Sequence, residues 1–104
     1  MRAMDKLMNA ISLCRKAGKL KMGTDVVMEQ IQGGTAKLVL TASDIADRSR
    51  RQIDFACAQH KAPVKAIPYT MESLSVVTGK KYGILAVCDK GFAEMIGGLV
   101  PPAG

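Results

Sequence analysis

Histidine is nearly absent: His60 is the single one in 104 residues, and the three cysteines, Cys14, Cys57 and Cys88, are widely spaced and odd in number. Each cysteine sits in an apolar run, which predicts reduced, buried thiols rather than a disulfide framework. No Cys-x-x-Cys pair points to redox work. Cys57 and His60 share a helix spacing that offers two metal ligands, but with no second histidine and the other cysteines standing singly, no metal is expected. For the same reason no Ser, His and Asp set can be nominated, so no catalytic residue is assigned. Apolar runs are short as well. None has the length of a membrane span, and in the opening MRAMDKLMNAISLCRKAGK the polar Asp5, Lys6 and Asn9 interrupt any secretory core. A cytoplasmic chain with no membrane partner and no cofactor is the expectation.

What the sequence has is positive charge. Lysine and arginine number 15 against 9 aspartates and glutamates, for a formal charge of +6 and a pI near 9.5. That balance favours an anionic partner such as RNA, DNA or an acidic lipid surface. The length suits one domain, 1–104, able to bury a single core without staples, with a loose tail from about 99 to 104.

Periodicity divides the chain into alternating elements. Met4, Leu7, Met8, Ile11 and Cys14 recur at helical spacing, with Arg15 and Lys16 toward the end and Gly18 to stop the helix. KLKM (19–22) alternates polar and apolar residues as a half-exposed strand does, and a second helix runs from about Thr24 to Gly33 and Gly34. AKLVLTA (36–42) has the apolar character of a central strand covered on both faces. Ile53, Ala56, Cys57 and His60 form the stripe of a third helix, leaving Arg48, Arg50 and Arg51 outside it and read as solvated. VKAI (64–67) is a short strand between Pro63 and Pro68, and Thr70 caps a helix through Met71, Leu74 and Val77. GILAVC (83–88) is another apolar strand, and DKGFAEMIGGL (89–99) is a short helix burying Phe92, Met95 and Ile96. Strands alternating with helices predict a three-layer α/β/α sandwich around a mixed sheet of about four strands.

The most informative stretch is the bend between KLKM and the second helix. GKLKMGTD (18–25) has two glycines separated by four residues, as a P-loop has, but Thr24 stands where that motif needs lysine and no buried strand precedes it, so nucleotide hydrolysis is not expected. A helix amino terminus presents unpaired N–H groups and a positive dipole end, and Gly23 would let a phosphate backbone approach. Lys19 and Lys21, alternating on a strand, point to one face beside it. Thr24 or Asp25 can equally cap the helix, and Asp44, Asp47 and Asp89 near strand ends are read as helix caps rather than as paired carboxylates. The seven methionines are read as core filler.

Three stretches in order, AGKL leading through Gly23 into a helix, AKLVLTASD, and VCDKGFA, resemble the small kink-turn RNA-binding family of ribosomal proteins, and its bacterial YlxQ-like branch in particular. The likeness runs from Leu13 to Ile96. The resemblance implies an α/β/α sandwich whose RNA face is built from the strand-to-helix bend, here Lys21 to Val26, and the loop before the last strand, here Gly79 to Ile84. In that family the bend carries Gly-x-Asn-Glu with a lysine one turn later, the polar pair reading sheared G·A pairs. Here Gly23 matches, while Asp25, Val26 and Glu29 occupy the other three positions. Ionised Asp25 only accepts hydrogen bonds, and Val26 offers neither donor nor acceptor in its side chain. TGKKYG (78–83) is a short loop supplying two cations and a ring that can stack.

Together these features predict a non-enzymatic RNA-binding protein of ribosomal type that uses Lys19, Lys21, Gly23, Thr24, Asp25, Val26, Lys80, Lys81 and Tyr82 on structured RNA, with no DNA expected. The alternative is a protein-interaction or scaffold module of the same fold whose RNA site has decayed at Asp25, Val26 and Glu29. An enzyme would need a pocket lined by Asp44, Asp89 or a cysteine.

Overall fold

A computed structural model describes residues 3–101, with side chains from residue 6 onward. Helix α1 spans Ala3–Lys16, followed by β1 (Leu20–Met22), α2 (Thr24–Gln32), β2 (Leu38–Thr41), α3 (Asp47–His60), β3 (Val64–Ala66), α4 (Met71–Thr78), β4 (Ile84–Val87) and α5 (Lys90–Leu99). The four strands form one mixed sheet in the order β1-β4-β2-β3. Strand β4 runs antiparallel to both β1 and β2, whereas β2 and β3 are parallel with Leu40 opposite Lys65.

The two central strands are the two apolar ones. Every residue of β2 and β4 is buried, because helices cover both faces of the sheet: α1 packs with α5 and α4, and α2 packs with α3. The edge strands show mixed burial, with Leu20 buried and Lys21 exposed in β1, and Lys65 and Ala66 exposed in β3. Leu7, Ile11 and Cys14 of α1, Val27 and Ile31 of α2, Ile53 and Cys57 of α3, Leu74 of α4 and Ile96 of α5 close one continuous core.

Several local expectations require correction. His60 is exposed, so the buried stripe of α3 ends at Cys57; His60 is the last residue of the helix, and Lys61 turns left-handed at φ 56° directly after it. Met95 is 43 % exposed, leaving Ile96 as the buried anchor of α5, with Phe92 half-buried. Cys88 is half-buried rather than enclosed, since it follows β4 at the rim of the sheet. Within the span 99–104 expected as a tail, Leu99 ends α5 and packs with Val100 against the core, and residues 102–104 lie outside the described residues. Met4 and Asp5 fall within α1, but their side chains also lie outside them.

Caps divide in an instructive way. Thr70 accepts from Ser73 N at the start of α4, and Asp89 accepts from Phe92 N at the start of α5, both as the sequence predicts. Asp44 does not cap the helix that follows it. Its carboxylate accepts from Met71 N at 2.9 Å, tying the β2–α3 loop to the start of α4, and Ser43 N donates to Tyr69 O beside it.

Candidate nucleic-acid interface

The bend after β1 is held by the sheet and opened by one glycine. Gly23 N donates to Ile84 O at 3.0 Å, extending the β1–β4 pairing by one bond, and then the chain turns at φ 99°, ψ 149° into α2. That backbone region is accessible essentially only to glycine. Gly23 is itself the N-cap, and neither Thr24 nor Asp25 caps α2, which has no side-chain cap bond. The first intrahelical bond is Val27 N to Gly23 O, so the amides of Thr24, Asp25 and Val26 have no protein acceptor among the described residues.

Helix α3 starts in the same condition. Ala46 is its N-cap, without a side-chain cap bond, and Arg50 N is the first amide to find an intrahelical carbonyl, that of Ala46. The starts of α2 and α3 both open on one pocket of about 310 Å³, with Gly23 and Thr24 on one wall and Ala46 and Ser49 on another. Lys81 and Tyr82 form a third wall. Two positive dipole ends at one cavity favour a negative ligand. Asp25 and Asp47 stand in the first turns of these helices and offset part of that field.

The 79–83 loop is positioned by its own backbone. Gly79 ends α4 in the left-handed conformation at φ 86°, and its N–H donates to Ser75 O. The buried Thr78 hydroxyl lies 2.7 Å from Lys80 O and 3.0 Å from Leu74 O, sharing one proton between them, and Tyr82 N also donates to Lys80 O. Lys80 and Lys81 consequently project outward, while the half-buried Tyr82 ring lies against Gly23. Gly83 is fixed by packing: a Cβ there would stand 2.4 Å from Ile45 Cγ2 and 3.0 Å from Met71 Sδ.

Of the sequence-predicted residues, the fold brings Gly23, Thr24, Lys81 and Tyr82 to the pocket. Asp25 and Val26 are exposed on the first turn of α2, Val26 at 41 %, and Lys80 is exposed on the adjoining loop. Lys21 is exposed on the edge strand two residues before the bend. Lys19 is more remote, because it precedes β1 and its carbonyl accepts from Cys88 N at the other end of the strand, roughly 13 Å along the chain from Gly23. Ile45, Ala46, Ser49, Met71 and Gly83 also line the pocket, and nothing in their local sequence marks them. The uncapped start of α3 is the one available signal: no Ser, Thr, Asp or Asn stands at its N-cap.

None of Asp44, Asp89 or the cysteines lines this pocket. Burial pushes the Cys14 and Cys57 thiols up to about 11, with Cys88 and Asp89 adding to the effect on Cys14 and Asp54 to that on Cys57. Burial also raises Cys88, against the lowering influence of Lys21 and Lys37. These are poor nucleophiles at neutral pH. No group of three or more metal-ligating side chains occurs among the described residues, and no helix among them is long and apolar enough to cross a membrane.

Residues 5–96 match the family described as Ribosomal protein L7Ae/L30e/S12e/Gadd45. The chain belongs to that family. Among relatives of this L7Ae-family chain, the RNA-binding protein YlxQ of Bacillus subtilis is 31 % identical over 91 residues, covering 83 % of this chain and 86 % of that protein. YlxQ of Enterococcus faecium, also named an RNA-binding protein, is 26 % identical over 89 residues, covering 86 % and 85 % of the two chains. A solved structure of a protein of unknown function from Bacillus halodurans C superposes with a TM-score of 0.84 at 25 % identity, covering 90 % of this chain and 95 % of that one.

Proposed function

We propose that this L7Ae-family protein is a non-enzymatic, cytoplasmic RNA-binding protein that grips structured RNA with the bend at Gly23 and the loop at Lys80 to Tyr82. One observation carries the reading: the uncapped starts of α2 and α3, at Gly23, Thr24, Ala46 and Ser49, line one cavity together with Lys81 and Tyr82. The names of the YlxQ relatives support it. Amides without a protein acceptor can hydrogen-bond phosphate or base oxygens with no protein hydrogen bond to break first, Lys21, Lys80 and Lys81 supply the phosphate counter-charge, and Tyr82 offers a ring face to a base. A cavity of about 310 Å³ admits a base splayed out of its stack, the usual target of RNA readout.

Sequence preference on this reading comes from α2. The Asp25 carboxylate accepts from base amino or imino groups and Val26 presents an apolar edge, so the site favours displayed amino groups over displayed carbonyls. Each such contact discriminates by roughly 1 to 3 kcal/mol. A kinked RNA with tandem G·A pairs displays amino groups in its groove and leaves an unstacked base, which suits both halves of the site.

The test is a titration of the protein against a kink-turn RNA, the same RNA with its G·A pairs replaced, and a plain duplex, at two salt concentrations. Preference for the intact kink is expected. Equal, salt-sensitive binding to all three would reduce the site to a general phosphate binder, and absence of binding would move the protein to the scaffold reading, in which exposed Val26 and Glu29 serve a protein contact.

A further inference from the structure

A second cavity lies at the opposite end of the sheet. The bend pocket sits where β2 ends and β4 begins, marked by the bond from Ala42 N to Gly83 O; the other end is marked by Lys37 N donating to Val87 O. There a groove of about 450 Å³ runs between α5 and the edge strand β3. Its floor is Leu38 and Pro63, and its α5 wall is low because it presents Ala93 and Gly97, one turn apart. Three lysines rim it, Lys37, Lys65 and Lys90, against one carboxylate, Glu94. Among the described residues none of the three ammonium groups has a carboxylate partner; Lys37 Nζ donates to Gly34 O at 3.3 Å and Lys65 Nζ to Gly97 O at 3.2 Å.

The adjacent strand is unpaired on its outer side. Val39 N donates to Pro63 O and Ile67 N to Thr41 O, so Pro63, Lys65 and Ile67 turn their backbone groups toward β2. By alternation the N–H and C=O of Val64 and Ala66 face outward, and the sheet order leaves β3 as its edge. An extended chain laid along β3 can satisfy those groups while its alternate side chains reach the groove side, where Lys65 lies.

We infer that this groove and the open edge of β3 form a docking site for an extended, acidic and apolar segment of another protein, bound as a fifth strand. Charge complementarity selects the occupant. Three cations against one anion call for carboxylates, and the apolar floor calls for aliphatic side chains between them. RNA fits less well, because no aromatic side chain and no arginine lines the groove. Since the groove and the bend pocket occupy opposite ends of the sheet, a protein segment and an RNA can be held together. This inference is independent of the RNA reading.

The experiment uses the full chain, isotope-labelled, titrated with a synthetic peptide in which every second residue is threonine and the residues between alternate glutamate and valine, so that one face of the strand carries both, with a polyglutamate of the same length and with a single-stranded RNA as comparison probes. Saturable binding of the alternating peptide is expected, with shifts centred on Val64 and Ala66 and slowed exchange of their amides. The exposed double variant Lys65→Glu/Lys90→Glu should weaken it by roughly tenfold. A second double variant, Lys37→Glu/Lys65→Glu, guards against misfolding of the first, and an unchanged backbone spectrum certifies each. No binding of the alternating peptide, equal binding of polyglutamate, or RNA shifting the same amides would each overturn the inference.

Discussion

The ring of Tyr82 rests on Gly23: a Cβ on that glycine would stand 3.5 Å from Tyr82 Cε1 and 3.6 Å from Cδ1. Contact itself is ordinary at that distance, so the constraint on residue 23 is its backbone, which turns at φ 99°. Gly23→Ala should therefore destabilise the fold by about 1 to 3 kcal/mol through strain alone. Tyr82→Ala leaves the backbone unstrained and should instead weaken RNA binding by roughly 1 to 3 kcal/mol through lost stacking. Chemical denaturation and RNA titration of both variants separate the two effects; equal RNA affinity of Tyr82→Ala and wild type would remove the ring from the interface.

Gly83 presents the reverse case, in which the backbone is permissive and space is not. A methyl group there meets Ile45 Cγ2 at 2.4 Å and Met71 Sδ at 3.0 Å. Gly83→Ala should cost about 1 to 3 kcal/mol by overpacking. The flexible Met71 end can retreat, but the branched Ile45 methyl cannot, so Ile45→Ala should recover part of the loss in the double variant. A double-mutant cycle by denaturant unfolding reads the coupling directly; strict additivity would mean that the clash is relieved elsewhere.

Much of this fold could be read along the chain because its signals are local. The apolar runs of β2 and β4 need only their own residues to declare double-sided burial, and Thr70 and Asp89 find their amide partners within three residues. Asp44 misleads for the opposite reason: its partner, Met71 N, is 27 residues away, and only the folded sheet brings the two together. The proposed interface divides along the same line. Gly23, Lys80, Lys81 and Tyr82 lie in turns with recognisable chemistry, whereas Ala46, Ser49 and Ile45 become pocket walls solely because α3 begins beside α2. His60 continues the helical spacing of Ile53 and Cys57, and spacing alone cannot show that the helix ends at that turn.

Lys61 is the one non-glycine residue among those described with a positive φ, at 56°, where it ends α3 and donates its N–H to Cys57 O. Its side chain is exposed, so replacing it removes no buried contact. Lys61→Gly should stabilise the protein by up to about 1 kcal/mol, the relief of left-handed strain being partly offset by the greater freedom of glycine in the unfolded chain. Thermal unfolding should show a rise of a few degrees at most. A fall in midpoint would indicate that the lysine contributes something the cap geometry does not show.

The buried thiols make stability depend on alkaline pH. Cys14 and Cys57 are pushed from an ordinary 9.0 up to about 11 in the folded chain and are 0 % and 1 % exposed. Between those values the unfolded chain has released protons that the folded chain still holds, so stability falls as pH rises. Each thiol's contribution is intact below 9 and lost by about 11, on the order of 2 to 3 kcal/mol apiece. The informative quantity is the difference between a variant and wild type at two pH values. Cys57→Ala should be destabilised relative to wild type by less at pH 11 than at pH 8, and a gap that stays constant would show that the thiol does not titrate with unfolding.

Phosphate contacts leave a separate signature, in salt rather than in pH. If Lys21, Lys80 and Lys81 each neutralise one phosphate, RNA affinity falls steeply as salt rises, and removing one lysine flattens the slope of log affinity against log salt by roughly one unit. Lys81→Gln, at the pocket wall, should flatten it while leaving preference for intact G·A pairs in place. Asp25→Ala should do the reverse: the salt slope persists or steepens slightly because a repelling carboxylate is gone, and preference among RNAs diminishes with the lost acceptor. Titrations of the two variants at several salt concentrations therefore separate the part of the site that grips the backbone from the part that reads bases. The division of labour would be refuted if Lys81→Gln abolished selectivity while Asp25→Ala left it unchanged.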